Sequence, residues 1–288
     1  VSGIRVQRIT ILFALLLPLL SGCSMLMSSA TSDMMTHLSK AISDNDDLQL
    51  VQDGAPAYLL MIDSLILKDP DNETMLTTAA TLYAAYADLF VRDPDRARKM
   101  ADKALDYAGR AVCLSTALAC DLKNKPFKEQ ESVVMAFEKS QVPALFAMGN
   151  AWARWILVNK SDFNAIADIA AIELIMQQVT QLDPTYRDGA AYLYLGTLAS
   201  LLPPALGGKP DQAKAHFETA LTLSKKKNLM ARVLYAQFYA RMVFDRELHD
   251  RLLKEVMDAD PNVSGYTLIN TQAKKLAAEL MLSADDYF

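Results

Sequence analysis

Hydrophobic residues along most of the chain recur every three or four positions, which is the spacing of one face of an α-helix. Two clear stretches carry Tyr58, Ile62, Leu65 and Ile66, and then Ile169, Ile172, Met176 and Val179. No segment alternates hydrophobic and polar residues over the length of a half-buried strand. The pattern therefore predicts an all-α fold.

Asp-Pro dipeptides separate the helical stretches at four places. They are Asp69-Pro70, Asp93-Pro94, Asp183-Pro184 and Asp260-Pro261. Proline disfavours the helical conformation at the residue before it and suits the first turn of a new helix. These dipeptides therefore predict helix boundaries, and they divide the chain into pairs of helices.

One pair of predicted helices fits the tetratricopeptide (TPR) pattern, in which W-x2-L-G-x2-Y is followed by A-x3-F-x2-A on the partner helix. The first half matches at Tyr192, Leu195 and Gly196, and the second at Ala213, Phe217 and Ala220. The small residues let two helices approach closely, and the aromatic residues fill the groove between them. Weaker matches start at Ala97 and at Leu145. We expect a TPR-like helical-hairpin solenoid of about four repeats plus flanking helices, forming one domain over residues 37–288.

The connection between the two matching halves is about five residues longer than the TPR pattern requires. The extra residues fall within 201–210, an apolar segment that includes Pro203, Pro204, Leu206, Gly207 and Gly208. We call this segment the insertion. Insertions in repeat proteins often lie on the binding face, so these five residues are candidates for ligand binding. A buried turn that spaces two helices is the alternative.

The N-terminus has the features of a secretory signal peptide. Arg5 and Arg8 precede the apolar run 9–20, which is too short to span a bilayer. The sequence Leu20-Ser21-Gly22-Cys23 resembles the lipobox of bacterial lipoproteins. We therefore expect residues 1–22 to be removed, Cys23 to carry lipid and residues 23–36 to form a tether, because two or more acyl chains anchor a protein stably. An ordinary signal peptide with an incidental Cys23 is the alternative.

Composition excludes several classes of function. The formal net charge is −5, and removal of residues 1–22, which hold two arginines and no acid, makes it −7. An acidic chain is a poor candidate for binding nucleic acid. The three histidines are far apart, and neither a phosphate-binding loop nor a nucleophile elbow is present. The sequence therefore predicts no enzyme, no cofactor and no metal site.

Aromatic residues supply further candidates for ligand binding. Trp152 and Trp155 are three positions apart and share a helix face, and Tyr192 and Tyr194 lie on the later TPR-like helix. The concave side of a solenoid often presents such residues to a ligand. Aromatic residues at helical spacing also commonly belong to the core.

Cys113 and Cys120 are the two cysteines that remain beside Cys23. Seven residues along one helix separate their Cα atoms by about 10.5 Å, beyond the reach of a disulfide. A bridge therefore requires the helix to end between them, and residues 121–126 resemble a helix exit. Bridged and free thiols both remain open at this point.

Three sequence segments resemble the T-component family associated with TRAP transporters, whose members are periplasmic TPR-like lipoproteins encoded beside a solute-binding protein. The segments are 68–73 with 93–97, 202–208 with Ala213, Phe217 and Ala220, and 259–262 with 285–288. The resemblance implies an all-helical fold with an internal cleft or pore, a homo-oligomer, and docking to a solute-binding protein that captures a small apolar or carboxylated ligand.

These observations predict a non-catalytic accessory protein in the bacterial cell envelope. It faces the periplasm, is held by lipid at Cys23 in the outer membrane rather than the inner, docks a TRAP-type solute-binding protein, and offers the ligand an apolar cleft or pore near the insertion. A TPR lipoprotein that acts as a scaffold for envelope protein assembly is the alternative.

Overall fold

The computed structural model describes residues 37–288. The predicted signal peptide over residues 1–22, the lipidated Cys23 and the tether over residues 23–36 lie outside this range. Within it, helices alternate with turns and short 3-10 segments, and no β-strand occurs. The all-α prediction is confirmed for the part of the chain that the structure describes.

Thirteen helices follow a short helical stretch at 37–43. They are α1 (Leu48–Lys68), α2 (Glu73–Phe90), α3 (Pro94–Ser115), α4 (Phe127–Met135), α5 (Val142–Val158), α6 (Phe163–Ala167), α7 (Ile169–Leu182), α8 (Ala190–Ala199), α9 (Pro210–Leu223), α10 (Leu229–Leu234), α11 (Arg246–Asp258), α12 (Thr267–Leu282) and α13 (Ala284–Tyr287). Short 3-10 turns precede or follow several of them, and a π-helical segment, Tyr235–Ala240, continues α10.

The four Asp-Pro dipeptides all lie where one helix ends and the next element begins, as predicted. Asp93 shows the mechanism, because its carboxylate accepts a hydrogen bond from the backbone N–H of Arg96 while Pro94 takes the first helical position. Asn72 caps α2 in the same way through the N–H of Met75. Side-chain capping of this kind satisfies backbone donors that a helix start leaves without partners.

The buried apolar residues form two clusters. The larger cluster is built from α1, α2, α3, α5, α7 and the first part of α8, and the smaller one from α9, α10, α11 and α12. Successive helices pack on one another, with α2 against α3, α3 against α5, α5 against α7, and α7 against α8. The α8–α9 pair joins the two clusters. By length and composition α1 could cross a membrane, and its side that carries Leu59, Ile62 and Ile66 is buried against the larger cluster.

The α8–α9 pair is closely packed at Gly196. A Cβ atom built at this position would lie 3.0 Å from the ring of Phe217, which is fully buried. The Phe217 ring also stacks on Tyr235, with ring centroids 5.1 Å apart. Glycine at position 196 therefore leaves room for the Phe217 ring between α8 and the π-helical segment.

Arg241 follows the π-helical segment and contacts residues at the junction of α12 and α13. Its guanidinium donates to Ser283 Oγ at 2.9 Å and lies 4.6 Å from the ring centroid of Tyr287. A π turn contains more residues than an α turn, so it changes which residues of the same helix face a neighbour. The direction of Arg241 thus depends on the segment before it.

Asp63 joins the first three helices through a network of polar contacts. Its carboxylate accepts hydrogen bonds from Tyr83 at 2.7 Å and Tyr107 at 2.8 Å, and it pairs with the ammonium of Lys103. Burial raises the pKa of Asp63, but these hydrogen bonds outweigh it and bring that pKa below its ordinary value of 3.8. Burial and the hydrogen bond to Asp63 raise the pKa of Tyr107 to about 12.

The beginning of the described chain contacts a loop near its end. Lys40 donates to Ser264 Oγ at 2.8 Å, and Asp44 accepts hydrogen bonds from Ser264 Oγ and from the backbone N–H of Gly265. We call this set of contacts the N-terminal clasp. It places the helical stretch at 37–43 against the start of α12.

Candidate functional site

A partly open cavity of about 550 Å³ lies beside α3. Its apolar lining includes Leu105 and Leu114 of α3 and Met148 of α5, and its other side is formed by the turn between α1 and α2 and by residues 121–124. We call residues 116–126, which run from the end of α3 to the start of α4, the strap. The strap covers one edge of the cavity.

The strap is fixed to α3 by a disulfide between Cys113 and Cys120. Helix α3 ends at Ser115, between the two cysteines, and the chain then turns back so that their Cα atoms are 4.2 Å apart. This is the helix end that a bridge requires. Asp121, the next residue, adopts a left-handed conformation with φ of 58° and directs the strap toward Lys123.

Lys123 connects the strap to both tryptophans of α5. Its ammonium lies 4.1 Å from the ring centroid of Trp155 and 5.9 Å from that of Trp152, and it is 3.5 Å from the carboxylate of Asp168. An ammonium over an indole ring is attracted by the negative face of the ring. The tryptophans therefore hold the strap in place at the edge of the cavity.

The indole N–H groups of both tryptophans have carboxylate acceptors. Trp155 donates to Asp102 at 2.9 Å, and Trp152 donates to Asp168 at 3.0 Å. Trp152 is fully buried, whereas Trp155 is partly exposed. Of the two predicted ligand-binding tryptophans, Trp152 is thus part of the core and Trp155 fixes a carboxylate that lines the cavity.

The predicted tyrosines lie away from this cavity. Tyr194 donates to Asn150 Oδ1 at 3.0 Å, and its ring makes an edge contact with Phe146. The ring centroid of Tyr192 is 5.9 Å from that of His216, whose pKa is lowered by burial. Thus the structure does not bring Tyr192 and Tyr194 together with the two tryptophans at one site.

The insertion forms a compact and exposed turn between α8 and α9. Pro203 O accepts hydrogen bonds from the N–H groups of Leu206 at 2.9 Å and Gly208 at 3.1 Å. Gly207 has φ of 99°, and a Cβ atom at Gly208 would lie 1.9 Å from the carbonyl oxygen of Leu202, so both positions require glycine. The insertion is therefore a shaped surface feature and not a buried spacer.

The apolar side chains of the insertion face outward. Leu201, Leu202 and Leu206 are 43%, 50% and 70% exposed. Pro203 and Pro204 are also exposed. No residue of the insertion lines the cavity beside α3, so the candidate residues divide between two separate regions of the molecule.

Several residues that shape the cavity were not among the sequence-based candidates. They are Asp71, Asp102, Asp106, Gly109, Arg110 and Lys123. Asp102, Asp106 and Gly109 follow one another at helical spacing on α3, which is a detectable signal. The contribution of Lys123 depends on the fold of the strap and has no local pattern. No cluster of three metal-binding side chains occurs between residues 37 and 288.

Comparison with known proteins gives a relative and a family. The chain is 22% identical over 282 residues to an uncharacterized protein of Treponema pallidum (strain Nichols), and the match covers 89% of this chain and 86% of that protein. The family described as the TRAP transporter T-component matches residues 44–288. That range holds nearly every helix described above, and the family is an accessory component of TRAP transport and not a known enzyme family. The chain therefore belongs to the TRAP transporter T-component family.

Proposed function

We propose that the chain is a non-catalytic accessory protein that docks a TRAP-type solute-binding protein through the insertion and offers the ligand an apolar passage beside it. In this proposal Cys23 carries lipid and holds the protein at the periplasmic side of the outer membrane. The helix pairs are arranged as TPR-like repeats within one domain over residues 37–288.

The exposed insertion is the observation that carries this proposal. Exposed apolar side chains grouped on one surface are typical of sites that bind another protein. The insertion has no ionisable side chain from Leu201 to Gly208. Its internal hydrogen bonds and its glycines fix its conformation in the absence of a partner. A preformed surface loses less conformational entropy on binding.

Self-association is a second part of the proposal, and it is supported by α1. Leu50, Leu60 and Leu67 are exposed along the outer face of this helix. Leu60 and Leu67 are seven residues apart and share one side of the helix, and Leu50 lies ten residues before Leu60 and about 80° around the helix axis from it. We propose that this face meets a second copy of the chain in a homo-oligomer.

A binding experiment with a TRAP-type solute-binding protein from the same organism tests the docking surface. We expect a complex at micromolar concentration, and we expect Leu202→Ser with Leu206→Ser to weaken it at least tenfold, because each buried leucine contributes about 1.5–3 kcal/mol. Leu157→Ser, at an exposed leucine of α5, is the matched control. Absence of a complex, or equal binding by the double variant, would count against this docking surface.

Crosslinking in cells distinguishes the accessory role from the alternative scaffold role. The proposal expects transporter components to be captured from the insertion. Capture of porin-assembly or cell-wall proteins instead would favour a scaffold for envelope protein assembly. Fractionation of a Cys23→Ala variant tests the anchor separately, because loss of the acyl chains should release the protein from membranes.

A further inference from the structure

Three consecutive lysines, Lys225, Lys226 and Lys227, lie between the end of α9 and the start of α10. We call these three residues the basic turn. All three side chains are exposed, and none of them forms an ion pair within residues 37–288. Three ammonium groups without acidic partners give this part of the surface a positive potential.

The backbone of the basic turn is fixed by two side chains from the interior. Arg232, which is 8% exposed, donates to Lys226 O at 3.2 Å, and the fully buried Asn270 donates to Lys227 O at 3.0 Å. Lys225 and Lys226 have φ of 50° and 60°, a left-handed conformation that favours glycine at the end of a helix. Lysine thus occupies two positions where the backbone alone would favour glycine.

The segments around the basic turn are basic, although the whole chain has a net charge of −5. Residues 223–232 and 254–275, which belong to helices packed on one another, hold seven lysines and arginines and three acids. Two of these acids are already paired, Glu255 with Arg232 and Asp258 with Lys254. Positive charge is therefore concentrated at one end of an otherwise acidic molecule.

The same end of the molecule holds the first described residues. The side-chain amide of Asn270 donates to both Lys227 O and Pro261 O, at 3.0 and 3.2 Å. Three residues after Pro261, Ser264 Oγ accepts a hydrogen bond from Lys40 in the N-terminal clasp. One amide group and a short loop segment therefore connect the basic turn to the clasp.

This position brings the basic turn close to the membrane, because the proposed lipid at Cys23 precedes the clasp. Residues 23–36 separate the lipid from the first described residue, and a chain of that length spans at most about 50 Å when fully extended. Basic residues beside an acyl anchor add a second attraction when the membrane carries anionic head groups. Both the charge of the basic turn and its place near the anchor therefore match an anionic lipid surface.

We infer that the basic turn contacts anionic phospholipid head groups of the membrane that holds the lipid at Cys23, and that this contact orients the protein. The insertion precedes α9 and the basic turn follows it, so about 20 Å of helix separates them. A basic turn on the membrane therefore leaves the insertion facing the periplasm, where a solute-binding protein can reach it. The inference rests on the lipid anchor proposed above and not on the docking of a partner.

Fluorescence quenching on the mature lipidated chain tests the contact. A fluorophore on Thr222→Cys, at an exposed residue near the end of α9, reports its distance from nitroxide-labelled head groups. The vesicles consist of phosphatidylcholine alone or of an equal mixture of phosphatidylcholine and phosphatidylglycerol. We expect quenching to be several-fold stronger in the anionic vesicles, and we expect this difference to disappear at high salt, because exposed charges are screened.

Matched variants test the location of the contact. Lys225→Gln, Lys226→Gln and Lys227→Gln together should reduce quenching in anionic vesicles to the value in phosphatidylcholine vesicles. A control that changes the net charge equally replaces three exposed lysines elsewhere by glutamine, and it should keep the quenching: Lys99, Lys128 and Lys160. Circular dichroism checks that both triple variants are folded.

Sedimentation with the vesicles separates this result from the lipid anchor. Every variant should sediment with both kinds of vesicle, because the acyl chains are sufficient for attachment. Sedimentation with equal quenching in the two kinds of vesicle, or quenching retained without the three lysines, would overturn the inference alone. A parent chain that sediments with neither kind would overturn the anchor and the lipid contact together. Absence of quenching, with weaker binding of the solute-binding protein by the variant of the basic turn, would assign this turn to an acidic protein surface instead.

Discussion

Gly196 and Gly54 show how the same residue type serves different purposes in two helices. A Cβ atom at Gly196 would lie 3.0 Å from the Phe217 ring, whereas one at Gly54 would meet nothing within 4 Å. We expect Gly196→Ala to lower the free energy of unfolding by about 1–3 kcal/mol, because the buried ring must shift. Gly54→Ala should raise it by about 0.5–1 kcal/mol through helix propensity. Urea denaturation measures both, and equal effects would contradict the close approach of α8 and α9.

The carboxylate of Asp63 should make stability depend on pH. Its pKa is below 3.8 in the folded protein, so ionised Asp63 stabilises the fold above that pH, and the contribution is lost as the pH falls through the lowered pKa. We expect Asp63→Asn to cost about 1–3 kcal/mol at pH 7. The difference from the wild type should shrink below about pH 4. Thermal unfolding across this range is the measurement, and a difference that grows on acidification would be the wrong sign.

The sequence predicts the contact between Gly196 and Phe217 but not the contacts of Asp63. The small residue at Gly196 and the aromatic residue at Phe217 belong to one repeat pattern, so their contact follows from local spacing. The partners of Asp63 are 20, 40 and 44 residues away. No periodic pattern connects those positions, and only the packing of three helices brings them together.

At the scale of elements, the disulfide between Cys113 and Cys120 should stabilise the strap. Closing a loop of this length stabilises a folded protein by about 2–3 kcal/mol in the chain-entropy model. We expect Cys113→Ser with Cys120→Ser to lower the free energy of unfolding by that amount. Wild-type protein unfolded in the presence of a reductant is the control and should behave like the variant. The same denaturation midpoint with and without reductant would show that the bridge does not constrain the strap.

Helix boundaries were predictable from the sequence, but the relation between the two candidate regions was not. Asp-Pro dipeptides fix the ends of elements through local backbone preferences, so all four were located correctly. The insertion was recognised by its unusual length and composition, and the structure shows that it is exposed and not buried, whereas ligand binding by it stays a prediction. The cavity beside α3 depends on a strap whose path is set by a disulfide and by Lys123, and neither constraint has a local signature.

At the scale of the whole molecule, the N-terminal clasp joins the first described residues to the loop before α12. Asp44 accepts the N–H of Gly265, and the hydrogen bonds of the clasp lower the pKa of Asp44. We expect Asp44→Ala to increase hydrogen exchange at residues 37–44 with little change in the global melting temperature, because the clasp lies outside both apolar clusters. Ser43→Ala is the control, because the Ser43 hydroxyl donates to Lys40 O within the helical stretch itself. A large loss of global stability would show instead that the clasp is part of the cooperative core.

The π-helical segment has a consequence for how this chain can change in length. A π turn accommodates about one residue more than an α turn, so deletion of one residue within 235–240 would restore regular helical spacing. Because the π turn takes up the extra residue itself, Arg241 would keep its direction toward Ser283 and Tyr287 after this deletion, whereas a deletion from a regular α turn rotates the residues that follow by about 100° around the helix axis. Relatives with one residue fewer in this segment can therefore keep arginine at this position and its contacts with Ser283 and Tyr287. The π-helical segment is thus a place inside a helix where the chain can change in length by one residue without altering the packing of the helices that follow.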